Sequence, residues 1–401
     1  MGVVRTAKPC ALAAGVSGAV WRRKMKGDHQ SISPYHVLIK AGLLFLIINL
    51  LFTIGQPLQV IGSVSVYNHV VPGRLRFPFS ETPEKANSLS LNNLEAMLAS
   101  HIVSGTPKPA NEYRVFLIGD SSVWGFLLDN EDTLASRLND AVLTTEDGKQ
   151  VVFYNLGYPT ISLTKDLLIL DQAMQYQPDL VIWLVTLESF PHEKQLFTPL
   201  VEHNPGYILP LIKEYGLNID PDDPAFIDPD LWERTIIGQR RAIADILRLQ
   251  LYAPLWAATG IDQYMPEVYT PRAEDLKANE QYYGMQPPVF TLYDLAFDVL
   301  EAGVKRTGEV PVLLVNEPMF ISRGENSDIR YNFFYPRWAY DTYRRIMLNL
   351  ASEHNWRYID LWQAVSNDEF TNSAIHLTPA GTAQLAERLA PVIQIIAEIE
   401  Q

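Results

Sequence analysis

Five short apolar runs separated by amphipathic stretches constrain this chain most. They lie at residues 114–118, 151–155, 180–186, 310–315 and 357–361. Each is too short for a buried helix, and the first four are mostly apolar, the pattern of a strand covered on both faces; the fifth also holds Arg357 and Asp360. Between them the apolar spacing is helical: Leu134, Leu138 and Val142 from about Thr133, then 163–175, 337–353 and 379–400. The last stretch places Thr378 as N-cap and Pro379 at the first helical position. Strands alternating with amphipathic helices predict an α/β fold with a parallel sheet between two helical layers. Right-handed crossovers reduce the topology to a doubly wound, three-layer α/β/α sandwich.

Outside this frame the charge is uneven. The net charge is −14. Residues 1–40 hold Arg5, Lys8, Arg22, Arg23, Lys24, Lys26 and Lys40 against Asp28, a net +6 that leaves −20 for the rest. So acidic a body has no basic face to neutralise phosphates, which excludes nucleic acid as a partner. The single cysteine, Cys10, allows no internal disulfide. Residues 1–36 therefore read as a basic cytoplasmic arm and 37–61 as a transmembrane anchor. The apolar core is interrupted by Asn49 and flanked by Lys40, close to the roughly 20 residues a bilayer needs. A cleaved signal sequence and a buried soluble helix are the alternatives, although no small-x-small site follows Ile54. The positive-inside bias would place the acidic body on the extracytoplasmic side.

Residues 62–110 read as a connecting region, turn-rich around Pro72-Gly73 and Pro78, with a helix over 89–101 started by Asn92 or Asn93. The main domain then spans 111–401 and carries a large helical insertion at about 191–309, including a helix over 231–251. Loops of this length are functional or form a subdomain. The insertion reads as a helical cap with its own small core, or as a lid over the site that touches the membrane surface.

At the end of the first strand stands Gly119-Asp120-Ser121-Ser122, followed by Trp124-Gly125. Chemistry in open α/β sheets gathers at the carboxyl ends of strands. A hydroxyl placed there is a nucleophile if a base reaches it. The base on offer is His376, in Ser373-Ala374-Ile375-His376-Leu377-Thr378-Pro379-Ala380-Gly381, just before the last helix.

A strand-end serine with a late histidine resembles the SGNH/GDSL hydrolase family, from about Tyr113 to the C-terminus. The resemblance implies a three-layer sandwich, no cofactor, and esterase, lipase, thioesterase or O-acyltransferase activity. It implies Ser121 as nucleophile and oxyanion donor, and His376 as its base. The other motif blocks depart from the family. Where the family has an aspartate three residues before the histidine, this chain has Ser373, preceded by Asn372; Asp368 or Glu369, a hydroxyl or a backbone carbonyl are the possible substitutes. Asn155-Leu156-Gly157-Tyr158-Pro159-Thr160 resembles the oxyanion turn, with Thr160 at the donor glycine and Gly157 as an earlier turn glycine. The family's Gly-x-Asn-Asp is replaced by Val185-Thr186-Leu187-Glu188-Ser189, leaving Thr186 or Ser189 to donate. Losing one such donor typically costs 10²–10³ in turnover.

Glu188 and Glu317, at the ends of the third and fourth strands, are also a candidate acid/base pair for a sugar or a site for glycan hydroxyls. No His/Cys spacing fits a metal, and none is expected. The leading expectation is a membrane-anchored, extracytoplasmic serine hydrolase or O-acyltransferase acting on an ester of a cell-envelope glycan or lipid. The alternatives are a degenerate SGNH fold that binds glycan or scaffolds an envelope complex, and a glycan-cleaving enzyme using Glu188 and Glu317.

Overall fold

A computed structural model describes residues 33–64, 66–79, 91–105, 107–259 and 268–399. Most of the expected basic arm, with Cys10, lies outside the described residues. Helix α1, Pro34–Gly55, has 22 residues. At 1.5 Å per residue it is about 33 Å long, enough for a hydrocarbon core of about 30 Å. Leu43, Leu46, Ile47, Leu50 and Leu51 are all exposed. Asn49 does not break the helix: its amide donates to the Phe45 carbonyl at 2.9 Å.

The sheet has five parallel strands in the order β2-β1-β3-β4-β5. They are β1 (Glu112–Ile118), β2 (Gln150–Asn155), β3 (Leu180–Val185), β4 (Val312–Asn316) and β5 (Arg357–Asp360). All five expected runs are strands, within two residues at each end. Their side chains alternate between two cores. Phe116, Ile118, Val181, Trp183 and Leu314 enter one; Val115, Leu117, Ile182, Leu184 and Leu313 enter the other.

Along the chain, α2 (Leu58–Ser63), α3 (Val66–Val70) and α4 (Leu94–Ser100) precede β1. Helix α5 (Ser121–Trp124) follows β1, then come α6 (Leu134–Asp140) and α7 (Leu163–Ala173). After β3 lie α8 (His192–Gln195), α9 (Pro199–Glu202), α10 (Pro205–Tyr215) and α11 (Arg240–Thr259). Helix α12 (Phe297–Arg306) leads into β4; α13 (Arg337–His354) and α14 (Pro379–Ile399) flank β5. Leu167, Leu300 and Tyr340 of α7, α12 and α13 line the first core; Leu138 and Leu389 of α6 and α14 line the second. This is the expected three-layer sandwich.

Two segments differ from their sequence reading. Residues 62–110 are more than a connector. Phe77, Leu94, Met97 and Leu98 are buried in the first core, and Asn93 caps α4 by accepting from the Ala96 N–H at 2.8 Å. The insertion has no core of its own among the described residues: Leu200, Ile208, Ile246, Trp256 and Phe290 join the first core of the sheet. Its helix begins at Arg240 rather than 231, because 228–233 is taken up by local turns in which Asp230 and Glu233 bond each other's backbone N–H groups. Helix α12, inside the expected insertion, is the crossover helix that a parallel β3–β4 step requires.

Candidate active site

Strand β1 ends at Ile118, and the turn after it carries Ser121 as the first residue of α5. Asp120 caps that helix, its carboxylate accepting from the Ser122 N–H at 2.8 Å. The turn is built for close approach. A Cβ on Gly119 would lie 2.6 Å from Val123 Cγ2, and one on Gly157 would lie 2.6 Å from the Trp124 backbone nitrogen. No side chain fits at either place, so the β1 and β2 loops lie directly against each other.

His376 reaches this turn from a tight loop before α14. The loop is pinned by an antiparallel bridge between Phe370 and Leu377, by the Thr371 N–H to the His376 carbonyl at 2.8 Å, and by the Phe320 N–H to the Ala374 carbonyl at 2.7 Å. Thr378 caps the helix that follows, accepting from the Gly381 N–H at 3.1 Å. Ser121 Oγ and His376 Nε2 are 2.8 Å apart. His376 Nδ1 lies 2.8 Å from Asn372 Oδ1. An amide oxygen accepts only, so Nδ1 carries the proton and Nε2 offers its lone pair to the serine. Thr371 donates to the same Oδ1 at 3.3 Å, which keeps the amide oxygen toward the ring.

The residue facing the ring is therefore Asn372, not Ser373, and not Asp368 or Glu369, whose carboxylate accepts from Thr378. Phe126 stacks on the imidazole with ring centroids 4.6 Å apart and planes 23° apart. Burial pushes the His376 pKa down to about 4. No carboxylate counters that push, because the orienting group is neutral. The ring is therefore neutral throughout the physiological range.

Of the other expected site residues, Gly157 spends its N–H on Asn155 Oδ1 at 3.1 Å. Thr160 keeps a buried hydroxyl oxygen with no partner among the described residues. Thr186 shares a hydrogen bond with the Tyr335 hydroxyl at 2.7 Å. Glu188 turns toward the insertion, accepting from Tyr283 at 2.5 Å and Tyr282 at 3.4 Å, with Lys194 at 3.2 Å. Burial raises its pKa. Glu317 accepts from Ser122 behind the turn that carries Ser121. Burial first, then the Asp120 charge, pushes Glu317 well above the carboxylate range. Glu188 and Glu317 thus serve separate networks, and both are almost fully buried.

Three residues at the site escaped the sequence reading. Fully buried Lys165 donates to the Gly119 carbonyl at 2.7 Å and the Tyr158 carbonyl at 3.1 Å, tying the two loops together. It also pairs with Asp166, which accepts from the Trp183 indole at 3.1 Å and is raised to about 6 by burial. Arg76 donates to the carbonyls of Gly125 at 2.9 Å and Leu128 at 3.0 Å, and to Asn130 Oδ1 at 3.0 Å. Its guanidinium lies 4.5 Å over the Trp124 ring. The third is Phe126. The available signals were a lysine at an apolar helix start and an arginine beside Phe77.

No protein-family model matches the chain, and no curated protein does. Among solved structures it is similar to a carbohydrate acetylesterase family member from Sinorhizobium meliloti, at 12% identity and a TM-score of 0.31 over 71% of this chain and 98% of that one. It is similar to the lipase/acylhydrolase from Enterococcus faecalis at 14% identity and a TM-score of 0.36, over 71% and 96%. The aryl esterase of M. smegmatis matches at 13% and 0.33, over 70% and 98%. At these levels the functional reading stands on the site's own geometry.

Proposed function

We propose that the chain is an SGNH-type serine hydrolase or O-acyltransferase with a Ser121–His376–Asn372 relay. The observation that carries this is the pair of 2.8 Å contacts, Ser121 Oγ to His376 Nε2 and His376 Nδ1 to Asn372 Oδ1. Ser121 Oγ attacks an ester carbonyl while His376 takes its proton. The tetrahedral intermediate collapses as His376 returns that proton to the leaving alcohol. Water or a second hydroxyl then attacks the acyl carbonyl as His376 takes its proton, and His376 returns that proton to Ser121 Oγ as the acyl–oxygen bond breaks. The Ser121 and Thr160 N–H groups are assigned to the oxyanion.

Helix α1 acts as a membrane anchor, with the catalytic body extracytoplasmic and its substrate an acylated glycan or lipid of the envelope. Length, composition and the preceding basic residues support this placement. The second reading is a binding or scaffold protein, favoured by the loss of the third oxyanion block to Thr186-Leu187-Glu188. A fluorophosphonate probe separates the two. Stoichiometric labelling at Ser121, abolished in Ser121→Ala and reduced at least 10²-fold in His376→Ala, is expected for the enzyme. A native chain that never labels would leave only the scaffold.

A further inference from the structure

Helix α11 is apolar on two faces, and only one of them is covered. Ile246, Leu249, Ala253 and Trp256 are buried. Leu247, Leu251 and Leu255, at successive four-residue steps, are 51%, 73% and 60% exposed, with Tyr252 at 48%. Ala244, Pro254 and Ala258 are exposed beside them, with half-buried Arg248 between Ala244 and Leu251. A helix in water usually carries charge along its whole outer face; here 249–258 holds none. Charge sits instead at its start, where Arg240 and Arg241 are exposed, and at Arg248, beside Asp245 at 3.4 Å.

The elements beside α11 repeat the pattern. It packs against α3 and α2, and the Val66 N–H donates to Gln250 Oε1 at 2.8 Å. On these short helices, and at Val64 between them, Val60, Ile61, Val64, Val66 and Val70 are all exposed. Exposed apolar side chains on three adjoining helices exceed the scattered exposure ordinary for a soluble surface. Gly55, the last residue of α1, is three residues from Leu58 at the start of α2. That bounds their separation at about 11 Å. With α1 spanning a bilayer as far as Gly55, α2 would start within that distance of the bilayer surface.

We propose that α2, α3 and α11 together form a membrane-seated face, embedded at the headgroup–acyl boundary of a bilayer containing anionic lipid. The inference rests on the anchored reading of α1 and goes beyond it: the insertion is a second, peripheral attachment rather than only a cap. Exposed Leu251 and Leu255 enter the acyl region, while Arg240 and Arg241 meet lipid phosphates, a basic cluster on an otherwise acidic body. A single spanning helix leaves a tethered body free to swing. A second contact fixes which side of it faces the lipid.

The test uses the full chain with Cys10→Ser, reconstituted in phosphatidylethanolamine–phosphatidylglycerol vesicles. Nitroxides are attached one at a time through Leu251→Cys, Leu255→Cys, Leu46→Cys in α1, and Leu348→Cys, an exposed leucine on α13. Collision with oxygen and with a water-soluble nickel chelate is measured at each. The expected result is an oxygen-to-nickel ratio at 251 and 255 several-fold above that at 348, approaching that at 46. A ratio at 251 and 255 equal to that at 348, with 46 lipid-embedded, overturns this inference and leaves the anchor standing. An aqueous signal at 46 overturns the anchored reading and this inference with it. Protection at 251 and 255 from both reagents identifies a protein surface as the cover and also overturns it. Each label sits on an exposed side chain, and an unchanged thermal melt checks folding.

Discussion

At the scale of single residues, Asn372 stands where a charge would be expected. Its oxygen sets the tautomer of His376 but brings no negative charge to stabilise the imidazolium that the proposed attack by Ser121 would form. With burial and Phe126 against the ring, the His376 pKa stays at about 4. Only the neutral ring accepts a proton, so kcat/KM for an aryl acetate should be flat above about pH 5 and fall as pH drops through about 4. Asn372→Asp supplies the missing charge. It should raise kcat/KM by on the order of 10- to 100-fold, part of the ~10⁴ that an orienting acid contributes elsewhere, and move the acid limb toward neutrality. An unmoved acid limb in that variant would show that position 372 does not govern the histidine.

Elements explain how that geometry is held. The segment around Arg76 straps the C-terminal end of α5 from outside: Arg76 binds the Gly125 and Leu128 carbonyls, and the Trp124 indole donates to the Phe77 carbonyl at 2.9 Å. Arg76→Met keeps much of the stem but removes the donor to the Leu128 carbonyl, at about 1–3 kcal/mol, while the Gly125 carbonyl keeps the Leu128 N–H at 3.1 Å. The urea midpoint should fall accordingly, and the turnover of the folded fraction should drop more than its KM rises, since the nucleophile turn loosens while the substrate surface persists. A variant with native turnover per folded molecule would restrict Arg76 to stability. The strap was not legible in the sequence because an arginine at 76 and carbonyls at 125 and 128 meet only through the fold. The strands were legible because burial on both sheet faces leaves unbroken apolar runs such as Val115–Ile118. Ser121 and His376 were legible because each stands at a junction of elements. Asn372 and Ser373 were both candidates with the orienting group left open, because linear spacing does not reveal which side chain a tight loop turns inward. The insertion was misjudged because Ile208, Ile246 and Trp256 read the same whether they pack on one another or on the sheet.

For the molecule as a whole, buried titratable groups set the response to acid. His101 is fully buried; its Nδ1 accepts from the Val103 N–H at 3.2 Å, and its Nε2 donates to the Asn155 carbonyl at 3.0 Å. Burial lowers its pKa from 6.5 to about 4. Between those values the unfolded chain binds more protons at this ring, so its contribution is intact above about pH 6.5 and is lost as pH falls toward 4. The full loss is about 3 kcal/mol. His376 has the same sign; the raised Asp166, Glu188 and Glu317 have the opposite one. The informative comparison is therefore between chains. From pH 7 to 4.5 the urea midpoint of the native protein should fall further than that of His101→Gln, and parallel declines would remove His101 from the account.

Ser121 and His376 are 255 positions apart. A ribosome adding 5–20 residues per second needs roughly 13 to 50 seconds to cover that interval. Throughout it the hydroxyl already exists without the ring it comes to face. A partly made chain holds half of the pair, and the 2.8 Å contact can form only when late synthesis delivers the imidazole to a turn laid down long before.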